Sequence, residues 1–422
     1  MKKTLSLITL NAGLLMIAYG WLLAFWQQSV NINPVSSDFL IPELPDPQIL
    51  LRDFPKPPKS LPVLSPVKTP LPNYMGMDEQ IWGKNQQAGD KIALLKSIDN
   101  SLRYLSSPQA ITDYRKYTIP GITRDRVIRS LTRFRQLVRT SGDAAQLWSE
   151  VQKEFVFYQS IGRDGLGNVL FTAYYEPVYD ASRTPTSEYR YPLYRLPPNL
   201  KSWSKPHPTR KQLEGKDGLQ ADKGKLKGLE LFWLRDRLEA YLIHIQGSAK
   251  LRLTDGTITT VGYAGNTAYN YSSIGKALAD DGKLPLENLT LPVIWQYFHQ
   301  NPQELDNYLP RDRSFVFFQE NYGRPATGSI SVPLTADRSI ATDKSIMPPG
   351  ALALIHAPLP YADANQKIQF NTVSRYVLDQ DTGGAIKGAG RVDYFLGTGK
   401  VAQQRAGMTV SNGYLYYLLL KQ

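Results

Sequence analysis

No cysteine occurs among the 422 residues. That absence excludes a disulfide, a thiolate nucleophile, a zinc-thiolate site and a lipid-modified N-terminal cysteine. Histidine is scarce as well: His207, His244, His299 and His356 are scattered, none at helical ligand spacing with a carboxylate, which argues against a zinc-protease site. His244, in "YLIHIQG", reads as a satisfied strand residue. There is no P-loop, "GNVLFTAYY" is not a dinucleotide fingerprint, and "TGGAIKGAG" lacks the spacing a phosphate cradle needs. Neither a cofactor nor a metal is implied, and no solenoid or propeller repeat is present.

What is present begins with charge and an apolar start. Lys and Arg number 49 against 37 Asp and Glu, a net charge of +12, which suits a polyanionic partner without choosing among nucleic acid, an anionic membrane and an acidic wall polymer. After Lys2 and Lys3, "TLSLITLNAGLLMIAYGWLLAF" (Thr4–Phe25) is apolar and about long enough to cross a bilayer. It runs into Phe25, Trp26, Gln27 and Gln28 without a clean small-x-small site, so residues 1–30 read as an uncleaved signal anchor rather than a removed export signal. Prolines then recur from Asn33 to Asn73, and residues 31–75 read as a semi-rigid spacer.

Helical periodicity follows at Ile92, Leu94, Leu95, Ile98, Leu102 and Leu105, and again from Val127 to Val138 with Thr123 as N-cap. Beyond these the chain changes character. "NVLFTAYYEPVYD", "EAYLIHIQGSAKLRLTDGTITTVGYAG", "RSFVFFQ", "GALALIHAPLP" and "RYVLDQ" read as strands, with a helix at "LPVIWQYFHQ". Asp255-Gly256 is the strongest hairpin signal, and a type I′ turn is expected there.

Carboxylates carry the remaining chemistry. "DTGGAIKGAGRVDYFLGTG" sets Asp381 and Asp393 around Gly383, Gly384, Gly388, Gly390 and Lys387. Glycosidic cleavage needs a carboxylic acid that still holds its proton near neutrality, through burial or a second carboxylate. Glycines there would admit positive φ and close approach of a ring-shaped ligand. The alternative, equally open at this point, is tight β-turns with solvated aspartates.

The same stretch resembles the three-aspartate (3D) domain of the membrane-bound lytic murein transglycosylase A family, with Asp343 in "RSIATDKSIMPPGALAL" as the third aspartate. "FTAYYEPVYDASRTPTSEYRYPLYRLP" and "LIHIQGSAKLRLTDGTITTVGYAGNTAYNYSSIGKAL" resemble the family's other part, in the same order. The resemblance implies a mainly β fold with helices: a double-psi β-barrel, a smaller inserted β-rich domain and a sugar-binding groove between them. Expected boundaries are 76–170 for the N-terminal helical part of the barrel domain, 171–313 for the insert and 314–422 for the C-terminal barrel part.

The implied activity is lytic cleavage of peptidoglycan, with Asp393 as the single catalytic acid and Asp381, the second catalytic position, as its neighbour and orienting partner. Implied substrate-binding positions are Tyr174, Tyr175, Glu176, Gln246, Gly247, Ser248 and Tyr263. Gly383, Gly384, Lys387 and Asp343 complete the set; Ala249 departs from the family's usual glycine. Implied partners are peptidoglycan glycan strands, the membrane through the N-terminal segment and other cell-wall enzymes, with no nucleic acid. Location follows as the bacterial cell envelope, anchored in the inner membrane and facing the periplasm. A non-lytic wall-binding protein and a water-using muramidase remain as alternatives, with Glu176 the candidate to activate water.

Overall fold

A computed structural model describes residues 62–83, 88–117, 119–221, 224–286, 289–362 and 368–422. The apolar segment Thr4–Phe25 and the proline-rich stretch up to residue 61 lie outside the described residues. Among the described residues no helix is long and apolar enough to cross a membrane.

From residue 62 the chain is already part of the fold, so the spacer does not extend to residue 75. Strand β1 (Leu64–Pro66) pairs antiparallel with β2 (Phe155–Ser160), and Leu64 is 2% exposed. Proline is tolerated because β1 is an edge strand, where a missing N–H costs no ladder bond. Among the described residues four α-helices lie between these strands: α1 (Lys91–Leu105), α2 (Pro108–Lys116), α3 (Arg124–Thr140) and α4 (Ala144–Glu154). The Thr123 hydroxyl caps α3 by accepting from Arg126 N at 3.2 Å. Leu94, Ile98 and Leu105 of α1 face the core as their spacing requires, but Ile92, in the first turn, is 84% exposed.

The barrel itself is closed. Its strands are β3 (Val169–Glu176), β10 (Ser339–Ala341), β11 (Leu352–Ala362), β12 (Ile368–Asp381), β13 (Arg391–Thr398) and β14 (Val410–Leu420). They bond in the order β14-β11-β12-β10-β13-β3, and β3 pairs again with β14, which completes a six-stranded ring. Phe171, Ile340, Val392, Tyr394, Tyr376 and Tyr417 fill one buried cluster with the helices, each apolar side chain contributing roughly 2 kcal/mol by its removal from water.

The insert leaves the barrel after Glu176. It holds a second six-stranded sheet built from β4 (Val178–Ser182), β5 (Tyr191–Tyr194), β6 (Glu230–Leu234), β7 (Ser248–Leu253), β8 (Ile258–Asn266) and β9 (Val316–Glu320), in the order β5-β6-β4-β7-β8-β9. Helices α5 (Arg210–Glu214), α6 (Arg237–Gln246), α7 (Ile274–Asp280), α8 (Leu291–Gln300) and α9 (Leu305–Tyr308) accompany it, and α10 (Lys400–Met408) packs against β3, β13 and β11 of the barrel. The architecture is the expected one, a barrel with a smaller β-rich insert.

Two local expectations are overturned. The residues before Gly247, read as strand, form α6, because Asp236 caps its start by accepting from Leu238 N (2.6 Å) and Glu239 N (3.1 Å), and Gly247 ends it at φ 77°. His244 is therefore helical; its Nδ1 accepts from Val316 N at 3.2 Å, and burial, with Arg210 adding to it, holds its pKa well down. The hairpin at Asp255-Gly256 exists, but only Gly256 has positive φ (83°). Gly256 N donates to Leu253 O and Leu253 N to Thr257 O. That is a three-residue loop closed by a glycine bulge, not a type I′ turn.

Candidate active site

Register brings the two motif aspartates to one face of the barrel. Ala341 of β10 pairs with Asp381 on one side and with Asp393 on the other. Paired residues point the same way, so the two carboxylates stand on one face, their Cα atoms two strand spacings or about 10 Å apart. Thr172 of β3 pairs in turn with Asp393. Tyr174 and Glu176 follow it at period 2 on that face, while Phe171 and Tyr175 alternate into the core.

Asp393 is half-buried and receives one hydroxyl. Thr172 Oγ1 donates to its Oδ1 at 2.7 Å, and Arg391 Nη2 donates to the same Oγ1 at 3.3 Å. Burial pushes the carboxyl of Asp393 up, and the charge of Asp381 adds to the rise, against Arg391 and the Thr172 bond. Burial is the larger cause. Repulsion from Asp381 is the smaller of the two raising causes.

Asp381 is already occupied. Its Oδ2 accepts from Tyr174 OH at 2.8 Å; its Oδ1 accepts from Ser329 N and Thr382 N, each at 2.8 Å. Burial raises its pKa too, against those three donors and Lys344. Lys344 Nζ donates to the carbonyl of Asp381 and pairs with the carboxylate of Asp379. Tyr417 OH and Thr342 Oγ1, each at 2.7 Å, complete the shell of Asp379.

The glycine-rich loop is held from beneath. Gly388 N donates to Asp343 Oδ2 at 2.8 Å, and Ser345 Oγ and N donate to its Oδ1. Burial alone would raise the carboxyl of Asp343, but these bonds and the Lys387 charge hold it below the usual range. Gly388 takes φ 80°, and a Cβ on Gly390 would stand 2.3 Å from Arg163 Cγ. Those two glycines serve the loop's own path. Gly384 is exposed beside Tyr271, Gly383 packs near Ile386, and Lys387 is exposed.

Other expected positions scatter. Tyr175 is 1% exposed within the core. Glu176 is 3% exposed; Thr398 Oγ1 donates to its Oε2 at 2.8 Å, while its buried Oε1 has no partner among the described residues. Burial raises that carboxyl, against Thr398 and Lys250. Gln246 Oε1 accepts from Tyr175 N at 3.1 Å, tying α6 to β3. Gly247 is the helix cap, Ser248 opens β7 nearly buried, and Tyr263 is exposed with its hydroxyl on Asn266. Sequence reasoning missed Thr172, Arg391, Ser329 and Lys344. Strand alternation back from Tyr174 points to Thr172, whereas Ser329 carries no local signal.

Comparison with known proteins places this geometry. The family model of the MltA specific insert domain matches residues 170–319 and that of the 3D domain residues 338–419. A membrane-bound lytic murein transglycosylase A of Vibrio cholerae is 34% identical over 274 residues, 64% of this chain and 70% of that protein. The chain belongs to the membrane-bound lytic murein transglycosylase A family. The Escherichia coli K12 protein of the same name is 35% identical over 253 residues, and that match spans 65% of the relative's own length. Among solved family structures, E. coli MltA with bound chitohexaose has a TM-score of 0.64 at 27% identity, covering 85% of this chain and 95% of that one. The murein transglycosylase of Agrobacterium tumefaciens gives 0.63 at 27%, over 76% and 92%.

Proposed function

We propose that this family member is a peptidoglycan lytic transglycosylase, a carbon–oxygen lyase cutting the β-1,4 bond between N-acetylmuramic acid and N-acetylglucosamine. Asp393 acts as its single acid and base. The observation that carries this reading is the asymmetry of the two aspartates. Asp393 has one hydroxyl donor and a carboxyl whose hold on its proton is strengthened by burial, whereas Asp381 has both oxygens engaged by three donors.

Asp393 gives its proton to the glycosidic oxygen as the C1–O4 bond breaks. The resulting carboxylate then takes the proton of the muramoyl C6 hydroxyl as O6 closes on C1, leaving a 1,6-anhydromuramoyl end. No second carboxylate is required. Holding the C6 hydroxyl beside C1 favours internal attack over water by proximity. Thr172, itself held by Arg391, orients the carboxyl through both steps. Tyr174 and Asp381 form a fixed neighbouring wall, and the exposed Gly384 lets a sugar ring approach the loop.

The buried Glu176 carboxyl weighs against a water-using muramidase, because an oxygen sealed from solvent cannot position a water for attack. The retained Asp393 weighs against a non-lytic wall-binding protein. We further propose an envelope location, which the membrane-bound naming of the relatives supports, with export through the N-terminal segment, retention in the inner membrane and the catalytic body facing the periplasm.

The test is mass spectrometry of fragments released from purified peptidoglycan by the full chain and by Asp393→Asn. The expected outcome is 1,6-anhydromuropeptides from the native chain and none from the variant. Reducing-end muropeptides would make it a hydrolase, and retained wall binding with no fragments would make it a non-lytic binder.

A further inference from the structure

The insert carries a cleft of about 590 Å³ lined by Pro206, His207, Thr209, Lys211, Gln212, Tyr269 and Arg313. None of these residues is acidic. Lys211 and Arg313 are exposed and neither forms an ion pair among the described residues, while the Arg313 guanidinium lies over Tyr269 at 4.3 Å, in a stack that fixes its plane.

His207 is 8% exposed, and its Nδ1 accepts from Ala268 N at 3.1 Å. An accepting Nδ1 places the proton of the neutral ring on Nε2, and that N–H donates to nothing among the described residues. Gln212 is arranged similarly. Its Oε1 is used by Thr209 N and Oγ1 (2.9 and 3.1 Å), so its amide N–H groups remain to donate. The cleft thus offers two cations and two further N–H donors, with no carboxylate in its lining to compete for them.

We propose that this cleft binds carboxylates of the short acidic peptide carried by the glycan strand, an inference that rests on the peptidoglycan reading above. Position supports it as well as chemistry. Tyr269, whose hydroxyl donates to His207 O at 2.6 Å, is two residues from Tyr271, a separation of at most about 7 Å. Tyr271 lies against Gly384, where an added Cβ would stand 3.9 Å from its own. Gly384 is three residues from Asp381. The wall of the cleft therefore continues into the catalytic loop, and a peptide of four residues, extended to about 13 Å, matches the Tyr269–Tyr271–Gly384 part of that path. Arg313 takes one carboxylate through its planar fork while Lys211 and His207 Nε2 take a second.

The test measures binding of a free Ala-γ-Glu-diaminopimelate-Ala tetrapeptide, its carboxamide counterpart and inorganic phosphate to the full chain in detergent, by calorimetry. The same measurements are made on the Lys211→Gln/Arg313→Gln double variant and on Arg313→Lys. The acid peptide is expected to bind the native chain, with affinity reduced tenfold or more by amidation and by the double variant, and partly kept by Arg313→Lys. In cleavage assays the double variant should raise KM on peptide-bearing strands and leave peptide-free strands unchanged in KM and kcat. Equal binding of peptide by native chain and double variant, tighter binding of phosphate than of peptide, or an equal loss on both kinds of strand would overturn the proposal. Peptide binding without cleavage of either strand would leave the cleft standing and sink the enzymatic reading instead.

Discussion

The barrel holds two pairs of aspartates in opposite ways. Asp78 and Asp90 are locked by guanidinium groups: Arg338 donates from Nε and Nη2 to Asp90 (2.8 and 2.6 Å) and from Nη1 to Asp78, and Arg375 Nη1 adds a bond to Asp78 at 3.2 Å. Arg338 and Asp78 are fully buried. Asp381 and Asp393 receive only hydroxyls and backbone N–H groups, with their nearest cations acting at a distance. Guanidinium groups hold the first pair through charge-assisted bonds that fix its geometry, whereas the second pair meets only neutral donors, which leave a carboxyl able to exchange its proton. One pair ties the segment around Asp78 and Asp90 to the barrel; in the other, Asp381 is fully engaged and Asp393 keeps a single donor.

The sharpest break in that comparison is Asp393→Asn. It removes the proton donor, and glycan release should fall by about a thousandfold, within the usual range for losing a general acid. The same variant should melt higher at neutral pH. Burial raises the pKa of Asp393 in the folded chain, so the folded state keeps a proton that the unfolded chain has released. Its contribution to stability is full at acid pH and is lost as pH rises through the folded value. Thermal melts of both proteins from pH 4 to 8 should diverge in favour of the amide as pH climbs; parallel curves would contradict the assignment.

Arg338→Met attacks the other pair. It leaves Asp78 buried without its main partner, and urea denaturation should register a loss of about 3–5 kcal/mol, with any activity change following the unfolded fraction. A fully stable variant would mean that Arg375 alone suffices.

Tyr174→Phe is milder. It removes one of three donors to Asp381 without opening a cavity, and kcat should drop by about tenfold, the effect of one hydrogen bond to a charged group. Because that bond lowers the pKa of Asp381, its loss raises it, and the acidic limb of the rate profile should move to higher pH.

Glu239→Gln should do least. Burial, with Asp236 and Asp180 adding to it, pushes this insert carboxyl up to about 7. A group raised in the folded state loses its stabilising contribution between its unfolded value and about 7, so the variant should flatten the decline in melting temperature over that window and leave glycan release unchanged.

Much of this was legible in the chain. Thr123 announces the start of α3, and the Asp381–Gly399 motif announces a loop between two strands, since both signals are local. The helix ending at Gln246 was missed because "YLIHIQ" is apolar enough for a buried strand, and only the Asp236 cap and Gly247 stop tip it to helix. Tyr175 and Glu176 entered as substrate-binding positions through the resemblance; which of two adjacent strand residues faces the core is a matter of pairing, and Glu176 is buried despite sharing the strand face of Thr172 and Tyr174.

By itself the sequence determined which acids are available, that glycines surround them, and that no thiol or metal-thiolate chemistry competes. Tertiary structure alone decided their roles. Thr172 reaches Asp393 across 221 residues and Tyr174 reaches Asp381 across 207, contacts set by the pairing of β10 and β3 with strands far along the chain. An aspartate's proton affinity depends on burial and on the donors and charges around it, and those arrive only when the barrel closes.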